Sequence, residues 1–224
     1  MRLFKNRHHA GRILARKLSD YAGGDDVIVL GLPRGGVPVA YEVATELQVP
    51  LDVFVVRKIG APYQPEFAIG AIASGGICVL DRDAIAQLGV AESQIASIIR
   101  SEALELERRD KLYRTSRPFP DLTGLVVVIV DDGLATGASM RVAVEAVRAR
   151  HPARVIAAAP VASGLACEAL REVADDCVCA ASPEPFYGVG RWYDDFSQTT
   201  DHEVITLLDS AFRQKTLATT SHAG

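Results

Sequence analysis

VVVIVDDGLATGASM, residues 126–140, runs from five consecutive apolar residues into two adjacent acids and then into small, hydroxyl-bearing or flexible residues. A short, continuous Val/Ile run is the pattern of a strand buried on both faces, as in a parallel sheet. The stretch that follows, ASMRVAVEAVRAR, is amphipathic at helical spacing, so the segment reads as strand, loop and helix. The same rhythm recurs along the chain. VIVLGL (27–32), LDVFVVR (51–57), LVVVIVD (125–131), RVIAAAPVA (154–162) and DCVCAA (176–181) read as strands, with VPVAYEVATEL and SGLACEALREVA among the helical stretches between them. Strands alternating with helices predict an α/β core around a parallel sheet covered on both faces.

The totals narrow the function. A chain of 224 residues with 49% hydrophobic content can bury one large core. Its net charge of −4, with no Lys/Arg run interleaved with aromatics, argues against a nucleic-acid partner. No apolar run approaches the ~20 residues of a membrane span, so no membrane partner is expected. The basic opening MRLFKNRHHAGRILARKLSDYAGG places Ile13, Leu14, Lys17, Leu18 and Tyr21 at helical spacing before Gly23-Gly24, which suits a first domain helix better than a targeting segment. Cys78, Cys167, Cys177 and Cys179 form neither two spaced pairs nor a cluster with histidines, so no metal site is expected from them. Alternation along DCVCAA puts two sulfurs on one strand face, as small buried side chains. Their scatter fits a reducing cytoplasm.

One segment breaks the rhythm. After a hairpin pattern, EFAIGAIASGGICVL, the charged run from Glu92 to Arg114 has helical periodicity with Ile95, Ile98/Ile99, Leu106 and Leu112 on one face. We read 81–117 as a helical insertion in a core spanning 1–181, its helix lying across the core or at a subunit contact. Residues 182–224 concentrate Pro, Gly and aromatics and read as a small loop-rich cap with a terminal helix from about Asp201 and a frayed tail, TLATTSHAG.

In an open parallel sheet, ligands bind beyond the carboxyl ends of the strands, which is where Asp131 and Asp132 fall. Buried carboxylates without partners are costly, so this pair needs sugar hydroxyls or a metal ion. GLATGAS then allows close backbone approach at Gly133 and Gly137, offers hydroxyls at Thr136 and Ser139, and opens into a helix whose N-terminal amides suit a phosphate. Acids followed by a phosphate cradle suggest a sugar phosphate. The Lys of a Walker loop is absent, and GLPRGGVPVAYEVATEL lacks the dinucleotide pattern G-x-G-x-x-G. Arg34-Gly35-Gly36 nevertheless sets a cation and exposed backbone at another strand end. Arg57 and Lys58 end the next predicted strand, and IGAPYQPEFAIG after them suits a mobile loop.

The strand, acid pair and phosphate loop of 126–140 resemble the signature of the type I phosphoribosyltransferases, a Rossmann-like α/β family. The resemblance implies that Asp131 and Asp132 hold the ribose hydroxyls of phosphoribosyl pyrophosphate (PRPP), while Gly133, Ala135, Thr136, Gly137, Ala138 and Ser139 form the loop for its 5-phosphate. Gly133 departs from the family, which usually carries an aliphatic residue there. Arg34, Gly35 and Gly36 resemble the family's pyrophosphate loop, and Arg57-Lys58 the basic pair preceding its flexible catalytic loop. Arg34 and Lys58 are then the catalytic cations. The long helix, DDG-x-ATGAS and the Tyr-x-Asp-Phe stretch at 193–196 are similar to a bacterial and archaeal group of predicted phosphoribosyltransferases.

That resemblance implies displacement at ribose C1 with pyrophosphate leaving, driven by positioning and charge stabilisation. It also implies Mg²⁺, with Asp131, Asp132 and Asp194 of GRWYDDF as metal-side acids, and a homodimer. Phe186, Trp192 and Tyr193, with Tyr187, could stack on a purine-like base or form the cap's own small core. A PRPP-sensing regulator without transferase activity is the competing class, since fold does not fix activity. A hydrolase would want G-x-S-x-G or a histidine metal cluster, and neither occurs.

Overall fold

The computed structural model describes residues 2–115 and 117–221. The chain runs α1 (Arg7–Lys17), β1 (Val27–Gly31), α2 (Gly36–Leu47), β2 (Leu51–Val53), β3 (Val56–Ala61), β4 (Gln64–Ala73), β5 (Ile77–Leu80), α3 (Arg82–Leu88), α4 (Glu92–Arg114), β6 (Val126–Val130), α5 (Ala138–Arg148), β7 (Arg154–Val161), α6 (Gly164–Arg171), β8 (Asp176–Ala181) and α7 (Asp201–Ser221). Five strands form a parallel sheet in the order β2-β1-β6-β7-β8. Alternation along the strands divides its core in two. Val29, Val128, Val130 and Ile156 pack with Leu14, Leu18, Val39 and Val43 of the α1/α2 side. Ile28, Leu30, Val127, Ile129 and Val155 pack with Met140, Val144, Val147 and Leu170 of α5 and α6. The strand order reverses between β1 and β6, so a crevice opens beyond the carboxyl ends of those two strands.

The expectation of one strand over 51–57 fails. β2 stops at Val53, and β3, carrying Arg57 and Lys58, belongs to a separate antiparallel sheet, β3-β4-β5. The switch has a hydrogen-bonding cause. Phe54 N–H still donates to Gly31 O, but Val55 donates to Ser74 Oγ and its carbonyl accepts from the Ser74 amide. The Val53 carbonyl accepts from Arg114. The expected mobile loop after Lys58 is therefore largely hairpin, with Lys58 opposite Ala71 and Ala61 opposite Gln64.

The helix over Glu92–Arg114 forms as expected and buries Ile95 and Leu106 against Ile59, Ile69 and Ile72 of the second sheet and Val204 and Leu208 of α7. Before it, α3 had no counterpart in the sequence reading; Asp81 caps it by accepting the Ala84 amide at 2.9 Å. The terminal helix starts at Asp201 as expected. Its backbone stays helical through Ser221, where a frayed tail was anticipated, and residues 222–224 lie outside the described residues. The cap returns to the N-terminus, where Tyr193 forms a parallel bridge with Phe4 and the two join Ala10 and Val161 in a small core. Among the described residues no helix is long and apolar enough to cross a membrane.

Candidate active site

Asp131 and Asp132 follow β6 directly, at the crevice between β1 and β6. The Asp132 amide donates to Asp131 Oδ1 at 2.8 Å, and Arg7 of α1 donates Nε to Asp132 Oδ2 at 2.8 Å. The Arg7 Nη2 lies 2.8 Å from the same oxygen, and Nη1 donates to the Ser197 carbonyl at 2.6 Å. Burial and the neighbouring Asp132 charge push the Asp131 carboxyl well above the usual carboxylate range. Burial also raises Asp132, against the pull of Arg7. Two crowded carboxylates, only one of them paired with a guanidinium, form a hard oxygen-donor set that favours a divalent cation or several hydroxyl donors. Such a set fits Mg²⁺.

The loop 33–36 meets this acid pair from the end of β1. A Cβ on Gly35 would lie 2.0 Å from Asp132 Oδ2, and one on Gly36 would lie 2.6 Å from the Val130 carbonyl. Only glycine permits that approach. The Pro33–Arg34 peptide is cis. Arg34 is half-buried, with Nη1 4.0 Å from Asp201 Oδ1 at the start of α7. The same Asp201 oxygen accepts the Tyr113 hydroxyl at 2.6 Å; burial, with this hydrogen bond added, pushes the phenol up to about 12.

The loop 133–137 leads into α5, where Ala138 and Ser139 open the helix. Gly137 has φ of +71°, a conformation that favours glycine, and Thr136 Oγ1 accepts the Ala138 amide at 3.4 Å. Ser163 steadies the loop by donating Oγ to the Ala135 carbonyl at 2.7 Å, while its oxygen also caps α6. The departure at Gly133 has a steric reason: a Cβ there would lie 2.3 Å from Val189 Cγ1, so a cap valine occupies the space an aliphatic side chain would need.

A cavity of about 1090 Å³ lies beside this loop, lined by Ala135, Thr136, Ser163, Glu184, Phe186 and Tyr187 among others. Phe186 is thus brought to the loop. Trp192 stands 6.4 Å from Phe186 between ring centroids. Tyr193 is buried at 1% exposure and donates its hydroxyl to the Asp132 carbonyl at 2.6 Å, so it supports the acid pair from behind and presents no face for stacking. Asp194 points the other way, exposed, with its carboxylate 3.6 Å from Arg2, and is not brought to the acid pair. Arg57 pairs with Glu102 of α4 at 2.5 Å, and Lys58 is exposed on β3. Neither ends a strand of the parallel sheet, which corrects the sequence expectation. Sequence reasoning missed Arg7, Val189, Ser163 and Asp201, none of which belongs to a motif.

A family model described as a phosphoribosyl transferase domain matches residues 3–186. "Putative phosphoribosyl transferase Rv0571c" of Mycobacterium tuberculosis is 45% identical over 213 residues, covering 95% of this chain and 48% of that protein. The same figures hold for "Putative phosphoribosyl transferase MT0597" of another strain of that organism. The chain therefore spans about half the length of the curated relatives it matches. The crystal structure of TT1426 from Thermus thermophilus superposes with a TM-score of 0.84 at 44% identity, covering 93% of this chain and 98% of that one.

Proposed function

The chain belongs to the phosphoribosyl transferase domain family, and from that premise we propose that it moves the ribose 5-phosphate group of PRPP to a small-molecule acceptor. In that reaction the bond from ribose C1 to pyrophosphate oxygen breaks and pyrophosphate leaves with its electron pair, while an acceptor nitrogen supplies the pair for the new bond to C1 and releases its proton to solvent. The observation that carries this reading is the junction of two loops at one crevice: Gly35 sits against Asp132 while 133–139 opens α5 alongside. One side suits a pyrophosphate, the centre a ribose, and the other side a 5-phosphate.

Asp131 and Asp132 would accept the ribose hydroxyls, and Arg34 would meet the departing pyrophosphate, steadied by Asp201. The Ala135–Ser139 backbone and hydroxyls would take the 5-phosphate. Mg²⁺ would be held on the Asp131/Asp132 side and, when bound, would supply charge neutralisation for the pyrophosphate. The acceptor we favour is a purine-like nucleobase, for which Phe186 and Tyr187 offer aromatic surface at the cavity. Lys58 is proposed as a mobile cation that the β3–β4 hairpin brings over the pyrophosphate. A cytoplasmic homodimer is the assembly we expect.

Calorimetric titration with PRPP, with and without Mg²⁺, followed by assay of pyrophosphate release on adding a nucleobase pool, tests the reading. Mg²⁺-dependent binding followed by release is the expected result. Binding without release from any base would replace the transferase with a PRPP sensor, and absence of binding would remove the proposal. Lys58→Ala is expected to lower turnover more than PRPP affinity. Equal losses would make Lys58 a ground-state anchor.

A further inference from the structure

Three cysteines that no step of this reaction uses converge at the edge of the parallel sheet. Cys177 and Cys179 lie two residues apart on β8, and Cys167 reaches them from α6. Their Sγ atoms all lie within 4.8 Å of one another, and Cys167 and Cys179 are 3.2 Å apart. All three are free thiols; Cys167 and Cys177 are buried and Cys179 is half-buried, which leaves a way in from solvent. The sequence reading excluded a metal site because the spacing offers no paired ligands, but α6 and β8 bring together what the sequence separates.

We propose that Cys167, Cys177 and Cys179 form a binding site for a thiophilic d¹⁰ metal ion of the Zn²⁺ class. An ion with sulfur bonds of ~2.3 Å holds three sulfurs roughly 4 Å from one another. The cluster spans that separation, so small side-chain movements would close it around an ion. The fourth position is open to water or to Ser182 Oγ, which lies 3.8 Å from Cys167 Sγ. Soft sulfur donors without a carboxylate discriminate against Mg²⁺, which separates this site from the acid pair at the end of β6. On binding, each thiol releases its proton to solvent and each sulfur donates an electron pair to the ion. The position has a consequence for the neighbouring site. α6 carries Cys167, and its capping Ser163 also holds the Ala135 carbonyl, so a bound ion would tie the phosphate loop's support to the sheet edge.

The test uses the full chain, reduced and stripped of metal, titrated with Cd²⁺ and followed by thiolate-to-metal charge-transfer absorption. One ion per chain with the intensity of three thiolates is expected. Cys78→Ser should bind unchanged, as should the double variant Asp131→Asn with Asp132→Asn. Cys179→Ser should weaken binding by more than about tenfold. In the unmodified protein, bound Zn²⁺ should slow alkylation of the half-buried Cys179 while the exposed Cys78 reacts at an unchanged rate, a readout independent of whether any variant folds. No charge-transfer band, unchanged affinity in Cys179→Ser, or loss of binding in either control would overturn the proposal, and none of these outcomes bears on PRPP transfer.

Discussion

Arg114 and Arg7 each sit with two aspartates, so the two clusters carry the same formal charge, but that charge is arranged differently. Arg114 bridges both of its acids. Its Nε donates to Asp52 at 3.0 Å, Nη1 donates to Asp110 and reaches Ser74 Oγ at 3.4 Å, and Nη2 donates to the Val53 carbonyl. The result ties α4 to the end of β2 and to the turn after β4. Arg7 serves only one acid of its pair, and its remaining contacts go to the cap, at Ser197 O and at 4.0 Å over the Phe196 ring. Asp131 is left with the neighbouring amide. Interiors rarely leave carboxylates so poorly matched, and the unmatched one opens onto the crevice between β1 and β6. The closed cluster ties elements of the fold together, whereas the open one leaves a carboxylate without a cation at a strand end.

The largest test of that contrast is Arg114→Met, which would strand Asp52 and Asp110 and should cost about 3–5 kcal/mol in urea unfolding. A loss below ~1 kcal/mol would mean that the Arg114 cluster is not a structural knot. Arg7→Gln should cost less, about 2–3 kcal/mol, because it strands one acid where Arg114→Met strands two, and because Arg7 itself is more exposed than Arg114. Here Mg²⁺ should restore part of the lost stability, as it should not for Arg114→Met. Equal responses to Mg²⁺ in the two variants would erase the distinction.

Asp131→Asn inverts the sign. The folded-state carboxyl of Asp131 is raised above its unfolded value, so its contribution is fully present below the unfolded value near ~3.9 and is lost as pH rises towards the folded value. The asparagine variant avoids that loss. Ligand-free, it should match the parent at acid pH and exceed it at neutral pH by more than about 1 kcal/mol, while losing PRPP binding. Parallel pH–stability curves would show that Asp131 bears no strain when empty.

Of this contrast the acid pair at the strand end could be read in the sequence but neither arginine's pairing could, and the difference has a physical reason. The strand over 126–130, the acids after it and the helix after Gly137 are local signals: continuous Val/Ile, then Gly and hydroxyls, then helical periodicity. The long helix at 92–114 was legible for the same reason, and so was the start of α7. Failures occur where long-range pairing decides. LDVFVVR has the composition of one strand, but Ser74 and Arg114 capture its backbone and divide it between two sheets. Arg7 lies in a basic N-terminal run where nothing marks it as the partner of an acid 125 residues away. The same applies to Cys167 and Cys179, joined only by the packing of α6 on β8. Asp194 failed through strand-like alternation: once Tyr193 turns inward to the Asp132 carbonyl, its neighbour must turn out.

The smallest effect tests whether the cap belongs to the open cluster at all. Val189 fills the volume in front of Gly133, immediately after the acid pair, so Gly133→Ala should overpack that contact. Because Val189 is only half-buried and can yield, the cost should sit near the low end for overpacking, about 1 kcal/mol. Val189→Ala alone should cost a similar amount by leaving a small void. Combined, the two changes should compensate, with a coupling of roughly 0.5–1 kcal/mol in a double-variant cycle. Simple additivity would mean that the cap does not rest on the loop at Gly133 in solution. Compensation in stability with unequal effects on PRPP affinity would be more informative, because it would show that the cap valine shapes the loop that follows the acids. The open cluster would then extend from α1 through the strand end into the cap, held by Arg7 on one side and Val189 on the other.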